Sequence, residues 1–561
     1  MKQIIECVPN FSEGRDMDII RQITDVIERV DGVLLLDVDP GKDTNRTVVT
    51  FAGEPEPVMD AAVACTARAG ELIDMRKHSG AHPRMGATDV CPLVPVSNIT
   101  MEECVELARE LGKRINDATG VPVYLYGEAA KRKDRYNLPD IRKGEYEALE
   151  EKLKDPGFAP DFGEPTFLPK SGVTAVGARH FMLAYNINLN TRNVRAAKDI
   201  ALTIRSKGRA KRDKDRKIIR DKNGKMVKVP GKLKFCQAGG WYIDEYGYAQ
   251  VTMNLHRIDI TGLHTAFDTV SEEADKKGLR VTGSELVGLA PLQAMLDTGM
   301  HYLQKQGAST ACPEKDIVHA AVHSLGLNET SPFDPEKRIV EYALRDEGGQ
   351  LKHLTIKNFT DLLSSNAPAP GGGSIAALNA SLAAALSAMV ANLTFENKKY
   401  ADRKAEMEKN GKRAQALKVR ALALIDEDTE AFNRWMKAMR MPKKREEDKK
   451  IRNTAIREAV RNAIDVPYST LKLCGEIIKL SEYVLTKGNR NALSDAAVAV
   501  RQVQAAAWSA YYNVLINLPS LEDEHARKEI AADAKKYVDS LETACRTLSK
   551  KAGEILNDAV R

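Results

Sequence analysis

The run RKHSGAHPRMGATDVCPLVPV, Arg76 to Val96, gathers two histidines, an aspartate and a cysteine around Gly80, Pro83 and Gly86. His78 and His82 are four residues apart, the spacing of a helical metal pair, and Asp89 or Cys91 would complete the set of a metal-dependent hydrolase. The punctuation argues against that reading, because Pro83 pushes His82 toward extended geometry and removes the shared helix face. A structural histidine is the bland alternative, and proton transfer the favoured one. A histidine in a polar loop at the mouth of a strand, with an ordinary pKa of about 6.5, exchanges protons at neutral pH at little cost. Upstream, DPGKDTNRT lacks both the first glycine and the Ser/Thr after Lys42 that a phosphate-binding loop requires. Asp37 and Asp39 end the strand before it. A carboxylate there can orient a histidine or an ammonium group, or simply cap the turn, and Asp39 is the candidate for support.

A second kind of chemistry lies in ALALIDEDTEAFNRWMKAM. Leu417, Ala421, Leu424, Phe432, Trp435 and Met439 form an apolar stripe, and Asp428 sits on it, four residues from both Leu424 and Phe432. Asp426 should point roughly 200° away, toward water. A carboxyl aimed into an apolar interface has its pKa raised toward neutrality, unless a neighbour simply satisfies it. The later helix SDAAVAVRQVQAAAWSAYYNVLINL carries Asp495, Gln502, Ser509 and Asn513 on one face of an otherwise apolar surface, which suggests a ligand cavity. APAPGGGSIAA puts Gly371, Gly372 and Gly373 at a helix entry, where free N–H groups attract an anion.

The elements that must position these groups fall into three parts. Strand-like and helix-like runs alternate through the first 330 or so residues: VLLLDVD, TVVTFAG, the helix EECVELARELGKRINDAT, then VPVYLYG. The pattern restarts near Val173 with the strand HFMLAYNINL, the helix AAKDIALTIRSKG, a strand pair in YAQVTMNLHRIDI and the helix LHTAFDTVSEEADKKG. The Pro/Gly-rich FAPDFGEPTFLPKSG joins the halves. The expectation is two consecutive mixed α/β (α+β sandwich) subdomains, 1–172 and 173–334, a linker over 335–354 containing Gly348 and Gly349, and an all-α helical bundle over 355–561. In SIAALNASLAAALSAMVANLT the larger apolar residues fall at 375, 378, 382, 386, 389 and 393, one stripe of a helix expected to be buried rather than to span a membrane.

With 43% hydrophobic and 29% charged residues the chain has an ordinary globular composition. Its eight cysteines include no Cys-x-x-Cys pair, which fits a reducing cytoplasm and disfavours disulfides or a zinc cluster. The net charge of +6 hides an asymmetry: Arg205 to Lys234 holds fourteen Lys/Arg against three Asp, leaving 70 basic and 75 acidic residues elsewhere. A solvated loop, an arm for a polyanionic small molecule, or an RNA-binding scaffold would each use such a segment. The run contains no aromatic to stack on bases, so RNA is the weakest of the three.

HPRMGATDVCPLVP resembles the signature of glutamate formimidoyltransferases, and VPNFSEGRD, VPVYLYGEAA, APDFG and NINL resemble further blocks of that family, over Met1 to about Ser331. Leu93 stands where Phe is expected, and the basic segment looks longer than usual. The resemblance implies that His82 is the catalytic base and that Gly163, Glu164, Pro165, Thr166, Phe167, Leu168, Pro169, Lys170, Ser171 and Gly172 bind folate. From about Leu354 to Gly553 the glycine-rich entry, LIDEDTEAF, AMRMPK and YYNVLINL resemble formimidoyltetrahydrofolate cyclodeaminases, whose catalytic aspartate falls on Asp428. Gly371, Gly372, Gly373, Asp495, Gln502 and Asn513 are then the candidate pocket.

The order of the two parts resembles the bifunctional formimidoyltransferase-cyclodeaminases. What this implies is a cytoplasmic enzyme of histidine and one-carbon metabolism, a transferase and lyase in one chain. It would take N-formimidoyl-L-glutamate and tetrahydrofolate, the latter in polyglutamylated form, as substrates. Neither reaction changes oxidation state, and a protonated amidine is already electrophilic, so no metal, nicotinamide or flavin is expected, and no nucleic-acid or membrane partner. Homo-oligomerisation through the alanine-rich helical part is expected as well.

Overall fold

The computed structural model describes residues 3–215, 217–344 and 351–560, with side chains to 557, so Gly348 and Gly349 lie outside the described residues. Contacts divide the chain into two compact units, Met1–Gly299 with Val318–Arg345, and Met300–Ile317 with Asp346–Arg561. The segment Met300–Ile317 therefore groups with the helices, although its sequence precedes the expected linker. Ala311 explains why: its carbonyl accepts Asn392 Nδ2 at 2.9 Å and Gln415 Nε2 at 3.0 Å.

In the first unit, β1 (Ile4–Cys7), β2 (Asn10–Phe11), β3 (Val33–Gly41), β4 (Arg46–Gly53), β5 (Thr88–Ser97), β6 (Val123–Gly127) and β7 (Thr174–Ala178) form one seven-stranded sheet. Alternation along the strands turns Ile5, Cys7, Val49, Phe51, Cys91 and Leu93 to one face. There they pack with the apolar sides of α1 (Met17–Glu28), α2 (Pro55–Leu72) and α3 (Met101–Thr119). Helix α3 is fixed at both ends, by a Thr100–Glu103 capping box and by Gly120 in the left-handed region.

The expected break between 172 and 173 is corrected by β7, which pairs in parallel with both β5 and β6 and so completes the first sheet. The Pro/Gly run before it is a loop that returns the chain to that sheet. A short, fully buried parallel strand after such punctuation reads in sequence like the start of something new.

A second, antiparallel sheet follows in the order β9-β10-β8-β11, from β8 (Leu183–Leu189), β9 (Cys236–Ile243), β10 (Tyr248–Leu255) and β11 (Val281–Val287). With α4 (Val194–Ile204) and α5 (Leu263–Asp275) it makes the second α/β layer pair. YAQVTMNLHRIDI holds one strand, not the expected pair. Its partner β9 is masked in sequence by Gly239 and Gly240, and Gly240 is needed because a Cβ there would lie 2.4 Å from the Lys198 amide of α4.

The basic segment is not a plain loop. Arg209–Ala210 pairs with Lys228–Val229, and bridges at Arg212–Ile218 and Arg220–Met226 zip the stretch into a ribbon. Two aspartates make its turns: Asp213 Oδ1 accepts the amides of Asp215 and Lys217, and Asp221 Oδ1 those of Asn223 and Lys225, each at 2.9 Å.

The second unit is a helical bundle of α6 (Gly372–Glu396), α7 (Lys404–Arg440), α8 (Glu446–Lys487), α9 (Leu493–Asn517) and α10 (Glu524–Val560). Helix α6 is long and apolar enough to cross a membrane, yet most of it is buried inside the bundle. Ala376, Ala377, Ala380, Ala383, Ala384, Ala388 and Ala391 face the core, while Leu382, Met389 and Leu393 of the larger stripe are exposed. Small side chains let the neighbouring helices approach closely, so the alanine face wins the interior and the bulky face is left outside.

Candidate active sites

His82 sits in the loop that leads into β5, and that loop lies on the β3–β4 hairpin turn. Asn45 is the tie: its carbonyl accepts His78 Nε2–H at 2.7 Å and its side-chain amide donates to the Ser79 carbonyl at 3.0 Å. Gly80 is required where the loop crosses the turn, since a Cβ would lie 2.1 Å from the Thr44 carbonyl oxygen. Arg84 anchors the far side through Glu145 and Glu147, at 3.0 and 2.6 Å, and donates its Nε–H to His78 Nδ1.

The imidazole of His82 is held at both nitrogens. Nδ1 is 2.7 Å from the Pro83 carbonyl, and Nε2 is 2.5 Å from Arg46 Nη1. A carbonyl only accepts and a guanidinium only donates, so Nδ1 carries the hydrogen and Nε2 presents its lone pair. Burial and then the Arg46 charge hold the pKa of His82 below its ordinary value, which keeps it a neutral base.

Asp39 is exposed at the end of β3, opposite Val48, and makes no hydrogen bond to His82. Its charge instead acts on Arg46, on the same face of the neighbouring strand. The residue in contact with His82 is Arg46, which sequence reasoning missed. The residue stands in the quoted DPGKDTNRT run, but only the hairpin brings it over the histidine loop.

The metal-hydrolase alternative does not assemble. His78 is occupied by Asn45 and Arg84, and Asp89 pairs with Arg142 and accepts the Met85 amide. Cys91 is buried with its sulfur 3.6 Å from that of Cys7. Among the described residues no group of three His, Cys, Asp or Glu could hold an ion.

The stretch Gly163–Gly172 runs mostly exposed along the surface until it is stitched to the histidine loop. The Ala87 amide donates to the Ser171 carbonyl at 2.8 Å and the Val173 amide to the Met85 carbonyl at 3.1 Å. Gly86 and Gly172 form a bridge at which neither tolerates a side chain: a Cβ would meet Val173 O at 2.2 Å or Met85 O at 2.1 Å. Tyr146 braces the stretch from below, donating its hydroxyl to the Pro169 carbonyl at 2.6 Å and lying 5.7 Å from the Phe167 ring. Two sequence blocks eighty residues apart thus meet at one place.

The second site lies in the bundle, in a cavity of about 360 Å³ lined by Pro368, Ala369, Gly371, Gly372, Gly373, Asp428, Ala431, Phe432, Trp435, Val460, Ala463, Asn513, Asn517 and Ser520. Asp428 reaches it from α7. Its Oδ2 accepts the Ser374 hydroxyl at 3.0 Å, and the Ser374 amide at the start of α6 donates to the same carboxyl. Those donors favour the anion. Burial outweighs them, and the pKa of Asp428 stands above the ordinary carboxylate value.

Of the expected pocket residues, Gly371, Gly372, Gly373 and Asn513 line this cavity and Asp495 and Gln502 do not. One helix face is not one place: Asp495 is eighteen residues from Asn513, about 27 Å along α9. Asn517, one turn beyond Asn513, was the polar residue to add, and its amide donates to the Ala463 and Asn513 carbonyls. Asp426 does not face water either. It is largely buried, accepts the Leu351 amide at 2.7 Å and lies 3.5 Å from Lys352. The segment before α6 covers the helix face expected to be wet.

The α/β half thus carries an imidazole with its lone pair on Nε2, the helical half a desolvated carboxyl at a cavity wall, and the two make the candidate sites of a two-part enzyme. Residues 4–179 match the formiminotransferase domain, N-terminal subdomain, 184–345 the formiminotransferase domain, and 355–536 the family described as formiminotransferase-cyclodeaminase. The chain is 41% identical over 532 residues to the formimidoyltransferase-cyclodeaminase of Sus scrofa, covering 94% of this chain and 95% of that one. To the protein of that name from Dictyostelium discoideum it is 42% identical over 562 residues, covering 98% and 100%. The methenyltetrahydrofolate cyclohydrolase of Methylorubrum extorquens is 41% identical over 175 residues, 31% of this chain and 84% of that one. The chain belongs to the formimidoyltransferase-cyclodeaminase family.

Proposed function

We propose that this chain carries the formimino group from N-formimidoyl-L-glutamate to N5 of tetrahydrofolate, releasing glutamate, and then closes the product to 5,10-methenyltetrahydrofolate, releasing ammonia, as a step in histidine degradation. The observation that carries the reading is the pairing of opposite proton habits in one chain: a histidine whose lone pair lies on Nε2 and whose pKa is held down, and a carboxyl at a cavity wall whose pKa burial raises.

In the first reaction N5 attacks the amidine carbon and Nε2 of His82 takes the N5 proton. The glutamate nitrogen is too poor a leaving group as an anion, so the imidazolium returns the proton to it as the C–N bond breaks. A placed shuttle of this kind is worth ~10²–10⁴ in rate. The Gly163–Gly172 stretch, stitched to the histidine loop, is the folate-binding element. In the second reaction N10 attacks the same carbon, the N10 proton is lost, and Asp428 protonates the departing nitrogen, which leaves as ammonia. The resulting carboxylate faces the cationic methenyl product.

The ribbon over Arg205–Lys234 suits the carboxylates of a polyglutamate tail, and a tether of that length holds the folate at ~mM local concentration. The exposed Leu382, Met389 and Leu393 of α6 suit contact with a second copy, which makes the enzyme a homo-oligomer through its helical part. All eight cysteines are free thiols, which supports a cytoplasmic location. No metal, nicotinamide, flavin, nucleic acid or membrane enters the scheme.

Incubating the protein with N-formimidoyl-L-glutamate and tetrahydrofolate should release glutamate and ammonia in equal amounts. Glutamate without ammonia would remove the second reaction from the proposal, and neither product would remove both.

A further inference from the structure

The contact between Arg46 and His82 poses a problem for the proposed base. Arg46 Nη1 donates to the same Nε2 lone pair that must receive the substrate proton, and both cannot use it at once. The rest of the guanidinium is poorly satisfied. Its Nε is buried without an acceptor, and among the described residues Arg46 makes no ion pair, because the nearby Asp89 is taken by Arg142. A half-buried cation with no carboxylate in contact, resting on a base, is poised to exchange a neutral nitrogen acceptor for an anion. The guanidinium is charged in either contact, but a carboxylate is charged as well and can accept two parallel N–H bonds, so a carboxylate wins that exchange.

The reaction geometry says which carboxylate. The nitrogen that leaves as glutamate is bonded to the α-carbon, and the α-carboxylate is bonded to that same carbon. A base within about 3 Å of the reacting nitrogens therefore has the α-carboxylate beside it, where Arg46 already lies. The γ-carboxylate is two carbons further off.

We propose that Arg46 is the residue that binds the substrate's α-carboxylate, and that this binding draws its guanidinium off Nε2 and frees His82 to act. The inference rests on His82 being the base. It makes the transferase selective for N-formimidoyl α-amino acids over formimidoyl amines, since a substrate without an α-carboxylate leaves the base occupied.

The charged groups around His82 are Arg46, Arg142 and Asp89, with Asp39 and Tyr126 acting on Arg46 in turn. Removing the Arg46 cation raises the His82 pKa, so the base becomes protonated at higher pH and the acidic limb of kcat/KM moves up in pH.

The test compares N-formimidoyl-L-glutamate with N-formimidoyl-4-aminobutyrate, which keeps the distal carboxylate and lacks the α one, in the native enzyme and in Arg46→Gln and Arg46→Lys. The native enzyme should prefer glutamate by about 10- to 100-fold in kcat/KM, and Arg46→Gln should lose most of that preference, with Arg46→Lys between. Circular dichroism and thermal melting of the same variants report that the α/β half that carries Arg46 has folded. A preference undiminished in Arg46→Gln, or an acidic limb that stays in place, overturns the proposal. Calorimetric binding of N-formyl-L-glutamate and N-formyl-4-aminobutyrate to His82→Asn protein, with and without Arg46→Gln, reads the carboxylate contact alone. If His82 proves not to be the base, the difference between these two ligands still decides the role of Arg46 in binding.

Discussion

A Cβ placed on Gly373 would lie 2.1 Å from Oδ1 of Asp428, so the first turn of α6 closes on the carboxyl with no room for a methyl group. Both oxygens of the carboxyl lie within 2.7 Å of that point, and the Ser374 hydroxyl holds the side chain there. Gly373→Ala should therefore displace Asp428 and cut cyclisation by about 100-fold, the scale of a lost general acid. Gly372 is the contrast. A Cβ there meets only the end of the flexible Asn513 side chain, at 2.9 Å, and Gly372→Ala should cost much less. Rates on supplied 5-formimidoyltetrahydrofolate check both, and equal losses would contradict the placement.

The pH profile of cyclisation carries a signed expectation. Asp428 acts in its protonated form, so the rate falls as pH rises through its pKa, which burial holds above the ordinary value. The Ser374 hydrogen bonds favour the anion and pull that pKa down. Ser374→Ala removes the hydroxyl donor, so the alkaline limb should move to higher pH with little change on its acidic side. A limb that moves down would show that Ser374 does not act on the ionisation in this way.

Part of this was legible in the sequence and part was not. Asp428 stood on an apolar helical stripe, and the periodicity that buries Leu424 also buries the carboxyl beside it. The same reasoning failed at Asp426, because its cover comes from the Leu351 backbone, which no pattern within α7 records. On α6 periodicity marked the stripe of larger residues, and close helix packing gives the core to the alanines beside it. The two α/β layers followed from alternating strand-like and helix-like runs, and the bundle from 3.6-residue periodicity. Arg46 and the Gly86–Gly172 bridge did not, since each depends on strands or loops meeting across many residues of chain.

That bridge gives a prediction for the transferase half. Gly172 has φ +69°, and a Cβ there would lie 2.1 Å from the Met85 carbonyl oxygen. A left-handed alanine costs about 1–2 kcal/mol before any clash. Gly172→Ala should part the Gly163–Gly172 stretch from the histidine loop and raise KM for tetrahydrofolate by about tenfold or more. Cyclisation should be untouched, and an unchanged KM would deny the stretch its proposed role.

The basic ribbon can be removed at its root. Ser206 Oγ donates to the Leu233 carbonyl at 3.1 Å, so deleting Lys207–Lys232 leaves two ends that already touch. If the ribbon holds a polyglutamate tail, the deletion should raise KM for pentaglutamyl folate by about tenfold at low salt and leave the monoglutamate nearly unaffected. Equal losses on both folates would contradict that role, and salt-sensitive retention on immobilised RNA would point to a different partner.

The most direct test of two separate proton-handling sites is formation of the methenyl product, followed spectroscopically, in His82→Ala and Asp428→Asn. The account predicts that His82→Ala makes no product from N-formimidoyl-L-glutamate yet cyclises supplied 5-formimidoyltetrahydrofolate at the native rate, and that Asp428→Asn accumulates 5-formimidoyltetrahydrofolate and stops. Loss of both reactions in either variant, with the protein folded, would contradict it.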